Sequence, residues 1–156
     1  MAQTDAHRGG PTHSEHPALS DHRTLSDDEV LALHHLIADV SFAFDSGNHA
    51  TQLPEVLTED FVYERTGALL IEGRDALVKM LEGMTDPAVS HHTSTVSVHA
   101  TGPDTGTCRS KVITFRSGGR FSFGEFVDSV RRDPTGTWRI ERRVVRPLGE
   151  SGGSDS

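Results

Sequence analysis

The sequence predicts an α+β fold: a cone-shaped, strongly curved antiparallel sheet wrapped around N-terminal helices. Three observations carry this expectation. Apolar residues recur at helical spacing from Val30 to Phe44 and again within "GRDALVKMLEGM" at 73–84. After Pro87 the pattern changes to β-branched residues and two-residue alternation. Short turn signals then join the strands: "GPDTG" at 102–106, "GG" at 118–119 and "DPTG" at 133–136. Helices first and long strands afterwards is the order of an α+β domain.

The first helix starts at a capping box, Ser26-Asp27-Asp28-Glu29, in which the Ser26 hydroxyl accepts from the Glu29 amide and Glu29 reaches back. Leu25 and Val30 are placed for a hydrophobic staple, and the three acids favour the positive end of the helix dipole. Val30, Leu33, Ile37, Val40 and Phe44 form the apolar stripe, and Gly47 stops it. A short helix is expected from Gln52 to Leu57. "FVYER" (61–65) and "ALLIEG" (68–73) read as strands meeting at Thr66-Gly67. The helix at 73–84 follows, then four long strands: "SHHTSTVSVHAT", "TCRSKVITFRS", "RFSFGEFVDSVRR" and "TWRIERRVVRP".

A chain of 156 residues suits one domain, expected over 25–148. Residues 1–24, rich in Gly, Pro, Ser, Thr and His, cannot offset their ordering entropy and read as a disordered tail, as does "GESGGSDS" at 149–156. His7, His13, His16 and His22 lie in that first tail without a frame to fix ligand geometry, so no metal site is expected there. The net charge of −8 gives no attraction for phosphate backbones, so nucleic acid is not an expected partner. No apolar run approaches the roughly 20 residues of a membrane span, and no signal-peptide core is seen. Cys108 is the sole cysteine, which rules out an intramolecular disulfide and leaves a cytoplasmic setting as the expectation. The sequence holds no Gly-rich phosphate loop, no metal-ligand cluster and no nucleophile elbow, so no cofactor and no covalent Ser or Cys chemistry is expected.

A cone closed by helices is a natural small-molecule pocket. The ionisable groups able to face inward are Asp45, Glu64, His91 or His92, Glu125 and Asp128. Asp45 follows Phe44 on the edge of the buried stripe, and it fits either a pocket role or a cap on the Ser46-Gly47 turn. His91 and His92 must point to opposite sides of their strand. In "FSFGEFVD" the inner face carries either Phe123, Glu125 and Val127 or Gly124, Phe126 and Asp128. An Asp that accepts from one imidazole nitrogen fixes the tautomer and leaves the other nitrogen as a base.

The order of segments resembles the SnoaL-like branch of the nuclear transport factor 2-like superfamily, over about residues 26–147. Four stretches carry the resemblance: "FAFDSGNHATQLPEVLTEDFVYE", "IEGRDALVKML", "SHHTSTVSV" and "GEFVDSVRRDPTGTWRIERRVV". It implies that Asp45 orients a catalytic His91, with Thr95 where many members have Asn. It places Phe44 and Glu64 where scytalone dehydratase has pocket tyrosines, and Ser110 where it has a second histidine. With those groups replaced, scytalone dehydration itself is not expected, and Tyr63 is expected on the opposite side of its strand from the pocket. Asp128 and Arg143 match family motifs that often serve the sheet. The substrate-contacting set is therefore expected to include Phe44, Glu64, His92, Ser110, Phe126 and Asp128 beside the catalytic Asp45 and His91.

The resemblance implies a cofactor-free acid–base enzyme of the dehydratase, isomerase or cyclase type, acting on a small, apolar, oxygenated molecule in secondary metabolism. A non-catalytic ligand-binding or assembly module is the rival, since one fold hosts both. An epoxide hydrolase is a third reading, which needs Asp128 or Glu64 to hold a water beside Asp45. Apolar positions in "TFRSGGRFSF" and "RIERRVV" fall outside the cone, so a homodimer through that face is expected.

Overall fold

A computed structural model describes residues 23–151. Its first element starts at the capping box: Glu29 N donates to Ser26 Oγ at 3.3 Å, and Ser26 N donates to Glu29 Oε2 at 2.9 Å. From there α1 runs Asp27–Asp45, and Gly47, at a φ of 67° that favours glycine, turns the chain into α2 at His49–Val56. α2 starts earlier than the sequence pattern indicated and holds Pro54 near its end. β1 (Leu57–Arg65) and β2 (Leu69–Glu72) pair as a hairpin, and α3 (Arg74–Glu82) leads to β3 (Ala88–Ala100), β4 (Thr105–Arg116), β5 (Phe121–Arg132) and β6 (Trp138–Glu150).

The strands form one six-stranded sheet in the order β2-β1-β6-β5-β4-β3. The sheet is mixed rather than wholly antiparallel, because β1 pairs parallel with β6. The cause is the connection through α3. It carries the chain from one sheet edge, β2, to the other, β3, and the meander β3 to β6 then returns to β1 in β1's own direction. Register shifts at Ala88/Ser90 and Ser94/Ser97 in β3, and at Phe123/Gly124 and Ser129/Val130 between β5 and β6, mark bulges that bend the strands around the helices.

The core lies between the helices and the concave face. Leu33, Ile37 and Val40 of α1, Leu53 of α2, Phe61 of β1 and Ile140 of β6 are fully buried. Each such side chain favours folding by roughly 1.5–3 kcal/mol through removal from water. Ser41, on the same face of α1, bonds Thr93 of β3 at 2.8 Å and ties the helix to the sheet edge.

The tails differ in part from expectation. Of the N-terminal tail, residues 1–22 lie outside the described residues, while Arg23 pairs with Glu29. At the other end Gly149 and Glu150 belong to β6, opposite Phe123 and Ser122, and Ser151 N donates to Phe121 O at 2.9 Å. The Phe123 ring lies over Gly149, within 2.6 Å of where a Cβ would stand, so any larger residue there would have to displace it. Residues 152–156 lie outside the described residues. Among the described residues no helix is long and apolar enough to cross a membrane.

Candidate active site

Asp45 is the last residue of α1, and it spends both carboxylate oxygens on one residue of β3. Its Oδ1 accepts from His91 Nδ1 at 2.5 Å, and its Oδ2 accepts from the His91 backbone amide at 2.8 Å. A carboxylate only accepts, so Nδ1 carries the proton and Nε2 keeps its lone pair in the neutral ring. Nε2 makes no hydrogen bond among the described residues and is not sealed off. Phe44 stands edge-on to the His91 ring at 6.1 Å, and Phe126 lies 6.4 Å away. Burial pushes the His91 pKa below its ordinary value. The Asp45 hydrogen bond and charge pull it back up, and the Arg143 and Arg116 charges press it down again. Burial wins, which keeps the ring neutral near pH 7 with the Nε2 lone pair available.

His91 forms part of the wall of a cavity of about 190 Å³ between the helices and the concave sheet. Phe44, Tyr63, Met80, Leu81, Val112 and Phe126 give it a mainly apolar lining. Behind Phe126, Asp128 is fully buried and holds Arg143 through two bonds, Nε to Oδ1 at 2.7 Å and Nη2 to Oδ2 at 2.8 Å. The Arg143 guanidinium stacks on the Phe126 ring at 4.1 Å, and Arg143 lines the cavity. Asp128 therefore positions Arg143 and does not itself reach the cavity.

The structure brings Asp45, His91, Phe44 and Phe126 together and resolves the alternation in β5 in favour of Gly124, Phe126 and Asp128. Glu125 faces outward, bonded to Lys111 at 2.5 Å. The sequence expectations for Glu64, Tyr63, His92, Ser110 and Asp128 need correction, Asp128 because it is spent on Arg143 behind the lining. Glu64 points away from the cavity and pairs with Arg142 on the outer face. Its neighbour Tyr63 lines the cavity instead, because Phe61 is buried in the core and side chains alternate. His92 is on the exposed face, edge-on to Phe115 at 5.2 Å. Ser110 is buried beneath the lining, its Oγ without a hydrogen-bond partner, and does not contact the cavity. With Asp128 spent on Arg143 and Glu64 outside, no second carboxylate among the described residues stands beside Asp45 to hold a water, so they do not form the epoxide-hydrolase geometry.

Sequence reasoning passed over Arg65, Arg116 and His49, which also line the cavity. His49 donates from Nε2 to Phe44 O at 3.0 Å, which braces the end of α1 against the start of α2. Phe61 in the core phases β1 and so predicts both Tyr63 and Arg65 inward; nothing in the sequence places Arg116 beside them. Among the described residues no group of three or more His, Cys, Asp or Glu is arranged to hold a metal ion.

A family model described as a SnoaL-like domain matches residues 23–144. The chain belongs to the SnoaL-like family. Solved structures give the same fold. One is a provisionally named scytalone dehydratase from Novosphingobium aromaticivorans, 23% identical, with a TM-score of 0.67 over 80% of this chain and 87% of that one. An NTF2-like protein with a cystatin-like fold from the same species is 27% identical, with a TM-score of 0.62 over 78% of this chain and 82% of its own. A hexachlorocyclohexane dehydrochlorinase of the LinA type from Novosphingobium barchaimii is 12% identical, with a TM-score of 0.66 over 83% of this chain and 92% of that chain. Among curated proteins none matches this sequence. The fold is thus one shared by dehydratases and dehydrochlorinases.

Proposed function

We propose that this SnoaL-like protein is a cofactor-free general acid–base enzyme of the dehydratase, isomerase or cyclase kind, acting on a small, largely apolar, oxygenated substrate. The carrying observation is His91, held by Asp45 at the wall of an apolar cavity with Nε2 free. In this reading Nε2 takes a proton from a carbon next to a carbonyl. Asp45 keeps Nδ1–H in place and stabilises the imidazolium that forms. Arg143 faces the negative charge growing on the carbonyl oxygen. In a dehydration the same proton then passes to the leaving hydroxyl, so C–H and C–O bonds break, a C=C bond forms and water departs. In an isomerisation it returns to carbon elsewhere. The names of the structural neighbours, a dehydratase and a dehydrochlorinase, suit an elimination. A role in secondary metabolism and a cytoplasmic setting fit this reading, and a homodimer through the outer sheet face completes it.

The test is a panel of cyclic β-hydroxy ketones, followed by the enone absorbance that elimination creates. Turnover of a panel member should fall by roughly 100- to 10,000-fold in His91→Asn, with KM little changed. Turnover that survives in His91→Asn rejects the reading. Tight binding of panel members without any turnover favours the binding-module alternative.

A further inference from the structure

The cavity lining has an unusual charge. The chain carries a net charge of −8, yet among the described residues the lining holds Arg65, Arg116 and Arg143 and no Asp or Glu. Arg143 is neutralised by Asp128. The other two arginines are not matched in this way. Arg65, the last residue of β1, is exposed at the mouth, and its side chain makes no ion pair or hydrogen bond among the described residues. Arg116, the last residue of β4, donates from Nη1 to Asp86 O at 2.6 Å, while the Asp86 carboxylate is 3.9 Å away. That carboxylate already takes Arg120 at 2.6 Å and Ser117 at 3.1 Å, so two guanidiniums share one acid. Asp45 is committed to His91, and Glu64 to Arg142 on the opposite face. Tyr63 stands within the field of Arg65, Arg116 and Arg143, and its hydroxyl is unbonded among the described residues.

We infer that Arg65, Arg116 and the Tyr63 hydroxyl form an anion subsite at the cavity mouth, and that the substrate is an apolar molecule bearing a carboxylate. Guanidinium groups match a carboxylate with paired N–H donors, and a phenol adds one more. The carboxylate sits at the mouth, where its hydration is partly kept, while the apolar body fills the cavity beside His91. The arrangement fixes which carbon of the substrate meets Nε2. This rests on the reading that the same cavity is the substrate site.

Calorimetric titration with 2-naphthoate and its neutral isostere 2-naphthamide tests it. The native protein should bind the carboxylate about tenfold more tightly, the value of a charge-assisted bond over a neutral one. That preference should shrink below about threefold in Arg65→Gln and in 0.5 M salt, where an exposed charge is screened. Arg65→Lys should keep part of it. Arg65 is exposed and unpartnered, so its replacement leaves the fold unstressed, and Arg116→Gln serves as the second variant. Equal binding of the two probes, failure of 2-naphthoate to bind at millimolar concentration, or a preference that survives both replacements overturns the subsite. These outcomes are separate from loss of the acid–base reading, which is judged by turnover in His91→Asn.

Discussion

Asp45 grips His91 twice, through ring Nδ1 at 2.5 Å and through the backbone amide at 2.8 Å. The second bond matters as much as the first. It fixes the carboxylate against β3, so the imidazole cannot rotate away without giving up a hydrogen bond to an acceptor that its own main chain holds in place. A buried carboxylate is costly unless paired, and the helix end meets this cost with two donors from one residue.

Neutralising Asp45 follows directly. Asp45 raises the His91 pKa through its hydrogen bond and charge, against the larger effect of burial. Asp45→Asn should therefore lower the His91 pKa further, and turnover should drop roughly 100-fold because the imidazolium loses its counter-charge. NMR titration of the His91 ring in both proteins reads the first effect. An unchanged or higher pKa in the variant would show that Asp45 is not the group that sets it.

Acid stability carries a second signature of His91. Its folded pKa is lowered, so the unfolded chain binds the proton more readily. The contribution is present above the unfolded value of about 6.5 and is lost as pH falls through the folded value. Urea midpoints should thus decline as pH falls below about 6.5, and His91→Gln should flatten that part of the profile. A slope identical in both proteins would assign the decline to other groups.

Asp128 and Arg143 form the buried pair behind the cavity, with Asp128 fully buried and Arg143 at 2% exposure. Removing one partner strands the other charge. Asp128→Ala should cost about 3–5 kcal/mol, while the double change with Arg143→Met should recover much of that loss. Denaturant melts of the two singles and the double give the coupling, and additive losses would deny it.

The helix start and the meeting of Asp45 with His91 were legible because each depends on local pattern or on segments whose order is distinctive, whereas the alternation in β5 was legible but its phase was not. The inward face of β1 was misread. A one-residue change of phase swaps every side chain across a strand, and the phase is set by Phe61 in the core rather than by Glu64. The parallel β1–β6 pair was hidden for a different reason: it depends on where α3 delivers the chain, which no local pattern encodes. Arg65 and Arg116 end two strands that the sequence keeps far apart, and only the closed cone sets them at one mouth.

Thr95 sits in β3 at a φ of 52°, inside the register shift between Ser94 and Ser97. A β-branched residue there is strained, since left-handed backbone crowds its Cβ. Thr95→Gly should relieve that strain and stabilise the protein by roughly 1 kcal/mol, net of the entropy that glycine adds to the unfolded chain. Loss of stability on this change would mean that Thr95 makes a compensating contact.

The outer sheet face supplies the last prediction. Ile113 and Phe115 of β4 stand opposite Phe123 and Phe121 of β5, and all four are substantially exposed. Phe115 and Phe121 rings lie 6.1 Å apart, so the patch is continuous. Exposed apolar clusters of this kind mark association surfaces, and two such sheets packed face to face would bury both copies of the patch. Light scattering should give twice the 16.9 kDa chain mass at micromolar concentration. Phe115→Glu should shift the protein to the single-chain mass, because a charge buried without a partner opposes the interface. It should leave the His91 titration unchanged, since Phe115 does not line the cavity, which the patch reaches only through Phe123 at its rim. A native protein that is monomeric at that concentration refutes the dimer and leaves the patch for another partner.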